Sequence, residues 1–234
     1  MHKKTIMQQT KIQGKMKSVF LQVAVTMVVL IQGLCAKTQL FAQQSAEQQK
    51  IDKLASSFLE SRRSDWQDWN VPYQDGKILY ELIVKNKYTS ALEIGTSTGH
   101  STIWMAWAMS KTGGKVITIE IDKSRYKAAM SNIRKAGLED YVDARLTDAH
   151  ELVKTIEGPF DFVFSDADKG WYTQYFKDLE PKLKVGGCFT AHNVLNTYGG
   201  AKEFLEYVQA LDNFSTTVND ATESGISISY KRFE

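Results

Sequence analysis

Ala91-Leu-Glu-Ile-Gly-Thr-Ser-Thr-Gly-His-Ser-Thr102 decides how this chain folds. Ser90 to Ile94 is a short apolar strand, Gly95 and Gly99 punctuate the loop that follows, and Thr102 to Met109 reads as a helix. Strand, glycine loop and helix together open a nucleotide-binding α/β sheet, in which glycines let the backbone turn tightly and approach a ligand. Glu93 places a carboxylate at the strand end, where a cationic or hydroxyl-bearing ligand would sit. The spacing G-x-x-x-G differs from the dinucleotide G-x-G-x-x-G, and the missing third glycine disfavours a nicotinamide dehydrogenase.

Downstream, strand and helix alternate. Lys115 to Ile121, Val142 to Leu146, Phe160 to Ser165 and Gly187 to Ala191 read as strands, and Ser124 to Ala136, Ala149 to Ile156, Trp171 to Leu183 and Ala201 to Leu211 as helices. This alternation predicts a doubly wound, mostly parallel sheet. Asn213 to Val218 and Gly225 to Lys231 are joined by a short polar loop and predict a C-terminal hairpin, giving seven strands with one antiparallel member. Upstream, Ile51 to Trp69 reads as a helix anchored by Leu54, Phe58, Trp66 and Trp69, Val71-Pro72 breaks it, and Asp75 to Lys85 resumes helical periodicity.

The 234 residues carry a formal charge of +2. Six lysines (Lys3, Lys4, Lys11, Lys15, Lys17 and Lys37) precede the first acid, Glu47, so the rest of the chain stands at −4, which argues against nucleic-acid binding. Val19 to Cys35 is apolar and uncharged. Basic region, apolar run, then small residues near Ala36 or Ala42 is the order of a secretory signal peptide. The run is short of the ~20 residues of a spanning helix, so an uncleaved signal anchor is the alternative, and the membrane would be met only through this segment. Residues 1–44 are thus expected as signal and linker and 45–234 as a single domain, exported or membrane-anchored, with Gln43 to Lys50 a polar linker. Two cysteines, Cys35 and Cys188, do not support a disulfide framework, and Cys188 reads as a small core residue.

Ligands of open parallel sheets bind at the carboxyl ends of the strands, which here carry Glu93, Glu120, Asp148, Asp166 and His192-Asn193. Glu120 ends the second strand, where an acid accepts ribose hydroxyls; its neighbour Asp122 reads as the cap of the next helix. Ser165-Asp-Ala-Asp-Lys-Gly-Trp-Tyr172 concentrates two carboxylates and a lysine, a set suited to a hard divalent cation such as Mg²⁺ and to a base, Lys169, acting on a phenolic hydroxyl.

Glu93-Ile-Gly-Thr-Ser-Thr-Gly-His-Ser101, Glu120, Asn132-Ile-Arg-Lys-Ala-Gly-Leu138, Phe160-Asp-Phe-Val-Phe-Ser-Asp-Ala-Asp-Lys169, Tyr172, Tyr175 and His192-Asn-Val-Leu195 together resemble the S-adenosylmethionine-dependent O-methyltransferases of the catechol and caffeoyl-CoA type, from about Val71 onward. The resemblance implies that Gly95 and Ser97 line the methionine end of the cofactor, that Glu93 and Ser101 hold its amino-acid part, and that Val71 contacts it. It further implies Glu120 on the ribose, Asp148 and Ala149 beside the adenine, Lys169 as base, and Asp166 and Asn193 as metal ligands. The family places an Asp before that Asn; here it is His192, which either ligates a softer metal (Zn²⁺, Mn²⁺ or Co²⁺) or serves as the base of a metal-independent enzyme. The expected substrate is a small catechol-like aromatic, with Trp69, Trp171 and Tyr198 as candidate aromatic walls and a homodimer implied by the family. A cofactor-binding domain without turnover is the competing reading, and an exported chain conflicts with a cofactor made and kept in the cytoplasm.

Overall fold

The computed structural model of the chain describes residues 37–66, 68–195 and 199–234. Residues up to Gln49 form one unit and Lys50–Glu234 a second. In the first, residues 37–49 are helical and almost entirely exposed. The linker expected from Gln43 to Lys50 is therefore helix, because its Gln, Ala, Glu and Lys are strong helix formers even without an apolar stripe. The apolar run Val19 to Cys35 and Ala36 lie outside the described residues, and so does Tyr198. No helix among the described residues is long and apolar enough to cross a membrane, which corrects the expectation of an exported or membrane-anchored chain as far as those residues go.

In the second unit, helix α1 (50–61) buries Ile51, Ala55 and Leu59, spaced one turn apart. It stops well before Trp69. Asp68 and Trp69 both take φ +64, a left-handed backbone that no helix can contain. Helix α2 (Tyr73–Asn86) then starts directly after Pro72 and buries Asp75, Leu79 and Ile83 along one stripe.

The sheet has seven strands in the order β3-β2-β1-β4-β5-β7-β6. They are β1 (Ser90–Ile94), β2 (Lys115–Glu120), β3 (Val142–Leu146), β4 (Phe160–Ser165), β5 (Leu183–His192), β6 (Phe214–Asn219) and β7 (Ile226–Lys231). β1 to β5 pair in parallel, and β7 is antiparallel to both neighbours, as the expected mostly parallel sheet requires. Helices α3 (His100–Thr112), α4 (Lys123–Lys135), α5 (Ala149–Thr155), α6 (Tyr172–Leu179) and α7 (Ala201–Gln209) fill the crossovers. Asp122 caps α4 by accepting from Ser124 N and Arg125 N.

Side-chain alternation sorts the core into two clusters. Ala91, Phe162, Phe164 and Cys188 pack with α1, α2, α3 and α4, while Leu92, Ile94, Val163 and Phe189 pack with α5, α6 and α7. In the second cluster Phe176 meets Phe189 and Phe214 edge-on, with ring centroids 5.1 and 5.0 Å apart. Cys188 is a buried free thiol. At the amino end of the sheet, Asp161 accepts from Thr89 N (2.8 Å) and Ser90 N (3.0 Å) and pairs with Lys184 (2.6 Å). At the other end Ile94 stands level with Ile119 and Ser165, and Ser165 with Ala191, so β1, β2, β4 and β5 end within one residue of a common row. The strand order reverses between β1 and β4, the switch point at which such sheets open a crevice.

Candidate active site

That crevice is a cavity of about 510 Å³, within the usual range for small-molecule sites. Its floor is the loop after β1. Gly95 N–H donates to Ile119 O (3.0 Å) at φ +99, and a Cβ there would stand 2.6 Å from Asp166 O. Only glycine lets the β1 and β4 ends approach this closely. Ser97, at φ +48, donates its N–H to Glu120 Oε2 (2.8 Å) and its hydroxyl to Asp68 O. The other Glu120 oxygen accepts from Ile121 N (3.0 Å) and Asp122 N (2.8 Å). Glu120 is thus a buried carboxylate that ties the β1 loop to the β2 end while opening on the cavity.

Further along the wall, Asp148 caps α5 by accepting from His150 N, and Ala149 follows it. The His150 and Tyr175 rings line the cavity, stacked with centroids 5.6 Å apart, a flat wall of the kind a planar base requires; Trp171, expected on the wall, does not line it but stacks on His150 (4.0 Å). Across the opening, Arg125 holds Asp68 with three hydrogen bonds of 2.9–3.2 Å, placing exposed Trp69 and Asn70 on the rim.

The other end of the cavity collects Asp166, Lys169, His192 and Asn193, as expected of the β4 and β5 ends. His192 is held on both sides. Its Nε2 lies 2.7 Å from Asp75 Oδ2 and its Nδ1 3.2 Å from Asp166 Oδ1, with the ring 4% exposed. Burial works against a charge on this ring, but the carboxylates of Asp166 and Asp75 outweigh it and raise its pKa to about 9. Each nitrogen faces a carboxylate at hydrogen-bond distance, which favours the charged form of the ring. Thr222 Oγ1 donates to Asp75 (2.9 Å), closing the group from the β6–β7 loop.

Three expected cofactor residues stand behind the wall rather than on it. Glu93 is fully buried, and its Oε2 accepts from Thr102 and Thr118 while Oε1 has no hydrogen-bond partner. Burial raises its pKa to about 7 against the pull of Ser101, Thr102 and Thr118. Ser101 thus sits beside Glu93, at the start of α3. The Val71 carbonyl accepts from His100 Nδ1 (2.9 Å), and Trp104 Nε1 donates to His100 Nε2 (3.1 Å). These contacts leave His100 neutral, and burial lowers its pKa to about 4. Val71 thereby fixes where the neighbouring Asn70 and Pro72 meet the cavity.

The residues fit a nucleoside: a buried carboxylate for hydroxyls, an aromatic wall and a close glycine floor. They do not fit the divalent cation that the resemblance implied. Both His192 nitrogens are engaged by carboxylates, at 2.7 Å from Asp75 and 3.2 Å from Asp166, and one Asp166 oxygen is committed to the ring. Among the described residues no group of three or more His, Cys, Asp or Glu is placed to hold a metal. For the same reason His192 is not the free base that a metal-independent reading had assigned to it.

Asp75, Arg125 and His150 were not foreseen. Asp75 had a signal, since it is an acid on the buried stripe Asp75, Leu79, Ile83 of α2.

Comparison with known proteins agrees with this arrangement. The chain is 39% identical over 130 residues to a catechol O-methyltransferase of Niastella koreensis, covering 54% of this chain and 58% of that protein. It is 33% identical over 135 residues to caffeoyl-CoA O-methyltransferase 1 of Eucalyptus globulus, covering 54% of each. The match thus spans a little over half the length of these relatives. The O-methyltransferase from Bacillus cereus, solved in complex with SAH, superposes with a TM-score of 0.64 at 27% identity over 78% of this chain and 90% of that one. The profile of the O-methyltransferase family matches residues 42–206, and with the seven-stranded sheet and its crevice this places the chain in that family.

Proposed function

We propose that this chain transfers a methyl group from S-adenosylmethionine to the hydroxyl of a small, catechol-like aromatic acceptor. The observation that carries the reading is one cavity with a buried carboxylate, Glu120, at one end and the Asp166, Lys169 and Asn193 cluster at the other. The names of the catechol and caffeoyl-CoA relatives and the SAH-bound relative support the same reaction.

In this reading Glu120 accepts the ribose hydroxyls, and Asp148, Ala149 and the His150–Tyr175 wall border the adenine. Gly95 and Ser97 line the methionine end; Val71, Glu93 and Ser101 support it from behind through α3. When bound, the cofactor supplies an electrophilic methyl that leaves its sulfonium sulfur as the acceptor oxygen attacks in line. Lys169, at the start of the turn after β4, takes the phenolic proton on Nζ when it is in its neutral amine form, and Asp166 and Asn193 orient the hydroxyl. The divalent cation is not part of this reading, because His192 has no free nitrogen to offer one.

The test is transfer of a labelled methyl from S-adenosylmethionine to catechol by the full chain. Lys169→Met is expected to lower kcat about 10²–10⁴-fold at unchanged cofactor affinity. Cofactor binding without turnover across a panel of aromatic hydroxyls would refute the enzyme reading in favour of a binding domain.

A further inference from the structure

The Asp75, His192 and Asp166 chain is assembled from α2, β5 and the loop after β4, and Thr222 closes it from the β6–β7 loop. Every member is buried or nearly so: Asp75 is 1% exposed, and the side chains of His192 and Asp166 are 4% and 10% exposed. A ring bracketed in this way cannot turn to present a nitrogen to an incoming ion without leaving the buried Asp75 carboxylate with the Thr222 hydroxyl but no ring partner. A hard cation would have to take its place among oxygens at about 2.0–2.2 Å, and the Asp166 oxygen facing the ring is already engaged. The place a metal ion would take is filled by a side chain of the polypeptide itself.

We propose that His192, bracketed by Asp75 and Asp166, fills the place of a divalent cation at the acceptor end of the cavity, so that the site takes its acceptor by one hydroxyl and works without a metal. The substrate clause rests on the methyl-transfer reading; the exclusion of the cation does not. A metal ion with two open positions selects acceptors that can chelate it, such as vicinal diols on an aromatic ring. A hydrogen-bonded ring offers no open coordination position. What reaches the cavity instead is the Asp166 carboxylate, the Asn193 amide and Lys169, each of which engages a hydroxyl singly. A lone phenolic hydroxyl meets these groups as well as one of a vicinal pair. The acceptor class widens from catechols to simple phenols.

Binding of Mn²⁺ alone to the full chain, read from the loss of the free-ion paramagnetic resonance signal, tests the exclusion without any turnover. The wild-type chain is expected to leave Mn²⁺ free, and His192→Asp to bind it at least about 10-fold more tightly. Because that substitution leaves two carboxylates facing one another, Asp75→Asn combined with His192→Asp provides a variant in which the new carboxylate meets an amide. Uptake of one Mn²⁺ per wild-type chain, abolished by Asp166→Asn, overturns the proposal whatever the variants do. In methyl-transfer assays with excess chelator, phenol and catechol are expected to react within about 10-fold of one another. Activity that chelator abolishes, confined to catechol, overturns it equally. No methyl transfer to either acceptor, with Mn²⁺ still distinguishing wild type from His192→Asp, supports the exclusion and counts against the methyl-transfer reading instead.

Discussion

Replacing Gly95 by alanine tests whether the β1 and β4 ends are as closely joined as the site requires. The added Cβ would stand 2.6 Å from Asp166 O and 2.9 Å from Asp166 C, where ordinary contact begins near 3.4 Å. Both obstacles are main chain, so no side chain can swing away; the two strand ends must part by about 0.8 Å. Overpacking of this kind costs about 1–3 kcal/mol. The backbone adds to it, because φ +99 is closed to residues with a Cβ and holding it costs about 1–3 kcal/mol. The total is about 2–6 kcal/mol. Gly113 supplies the control, since it also has positive φ (+76) but nothing within 4 Å of a Cβ, so Gly113→Ala carries the backbone cost alone, about 1–2 kcal/mol. Urea unfolding of both variants at 25 °C measures the difference. Gly95→Ala is expected to be the less stable by at least about 1 kcal/mol. Equal losses would refute the close approach of the loop to Asp166, and with it the account of why glycine stands there.

Stability of the wild type relative to His192→Gln should be greatest below pH 6.5 and fall by about 3 kcal/mol as pH rises through 9, because the folded state raises the pKa of this ring; a pH-independent difference in urea unfolding would contradict the double carboxylate clasp. His100 has the opposite sign: its folded pKa is lowered to about 4, so stability should fall by about 3 kcal/mol between pH 6.5 and 4, and His100→Gln should flatten that part of the profile. Phe176→Ala, which empties a fully enclosed aromatic contact with Phe189 and Phe214, should cost about 3–5 kcal/mol in the same assay. Glu120→Gln keeps the shape but removes the charge that three backbone N–H groups converge on, and calorimetric affinity for S-adenosylmethionine should fall at least about 10-fold.

The strands and their ends were legible because two simple rules govern them. Buried parallel strands are short apolar runs between turn residues, and the residue after each run must face the crevice. Gly95, Ser97, Glu120, Asp148, Ala149, Asp166, Lys169, His192 and Asn193 reach the cavity for that reason. What escaped was set by contacts distant in sequence. Residues 37–49 are helical without an apolar stripe, so they resembled a linker. The helix gives way to a turn after residue 61, and Asp68 and Trp69 take positive φ, a conformation that glycine announces and these residues do not. Depth was equally hidden: Val71, Glu93 and Ser101 were expected on the wall, but β1 alternation turns Glu93 inward toward Thr102 and Thr118. His192 posed the question correctly, but the answer needed Asp75, which lies 117 residues away.

The antiparallel strand β7 has a consequence for synthesis of the chain. It comes last in sequence yet lies inside the sheet, between β5 and β6. Until Ile226–Lys231 has left the ribosome, β5 presents an unpaired edge rich in Phe189, Thr190 and Ala191, and β6 has no neighbour to join. With some thirty residues between β5 and β7, translation at ~5–20 residues per second leaves that edge open for roughly 2–7 seconds. The nascent chain thus passes through an interval in which pairing with another copy competes with its own completion, and a helper that covers strand edges would act then.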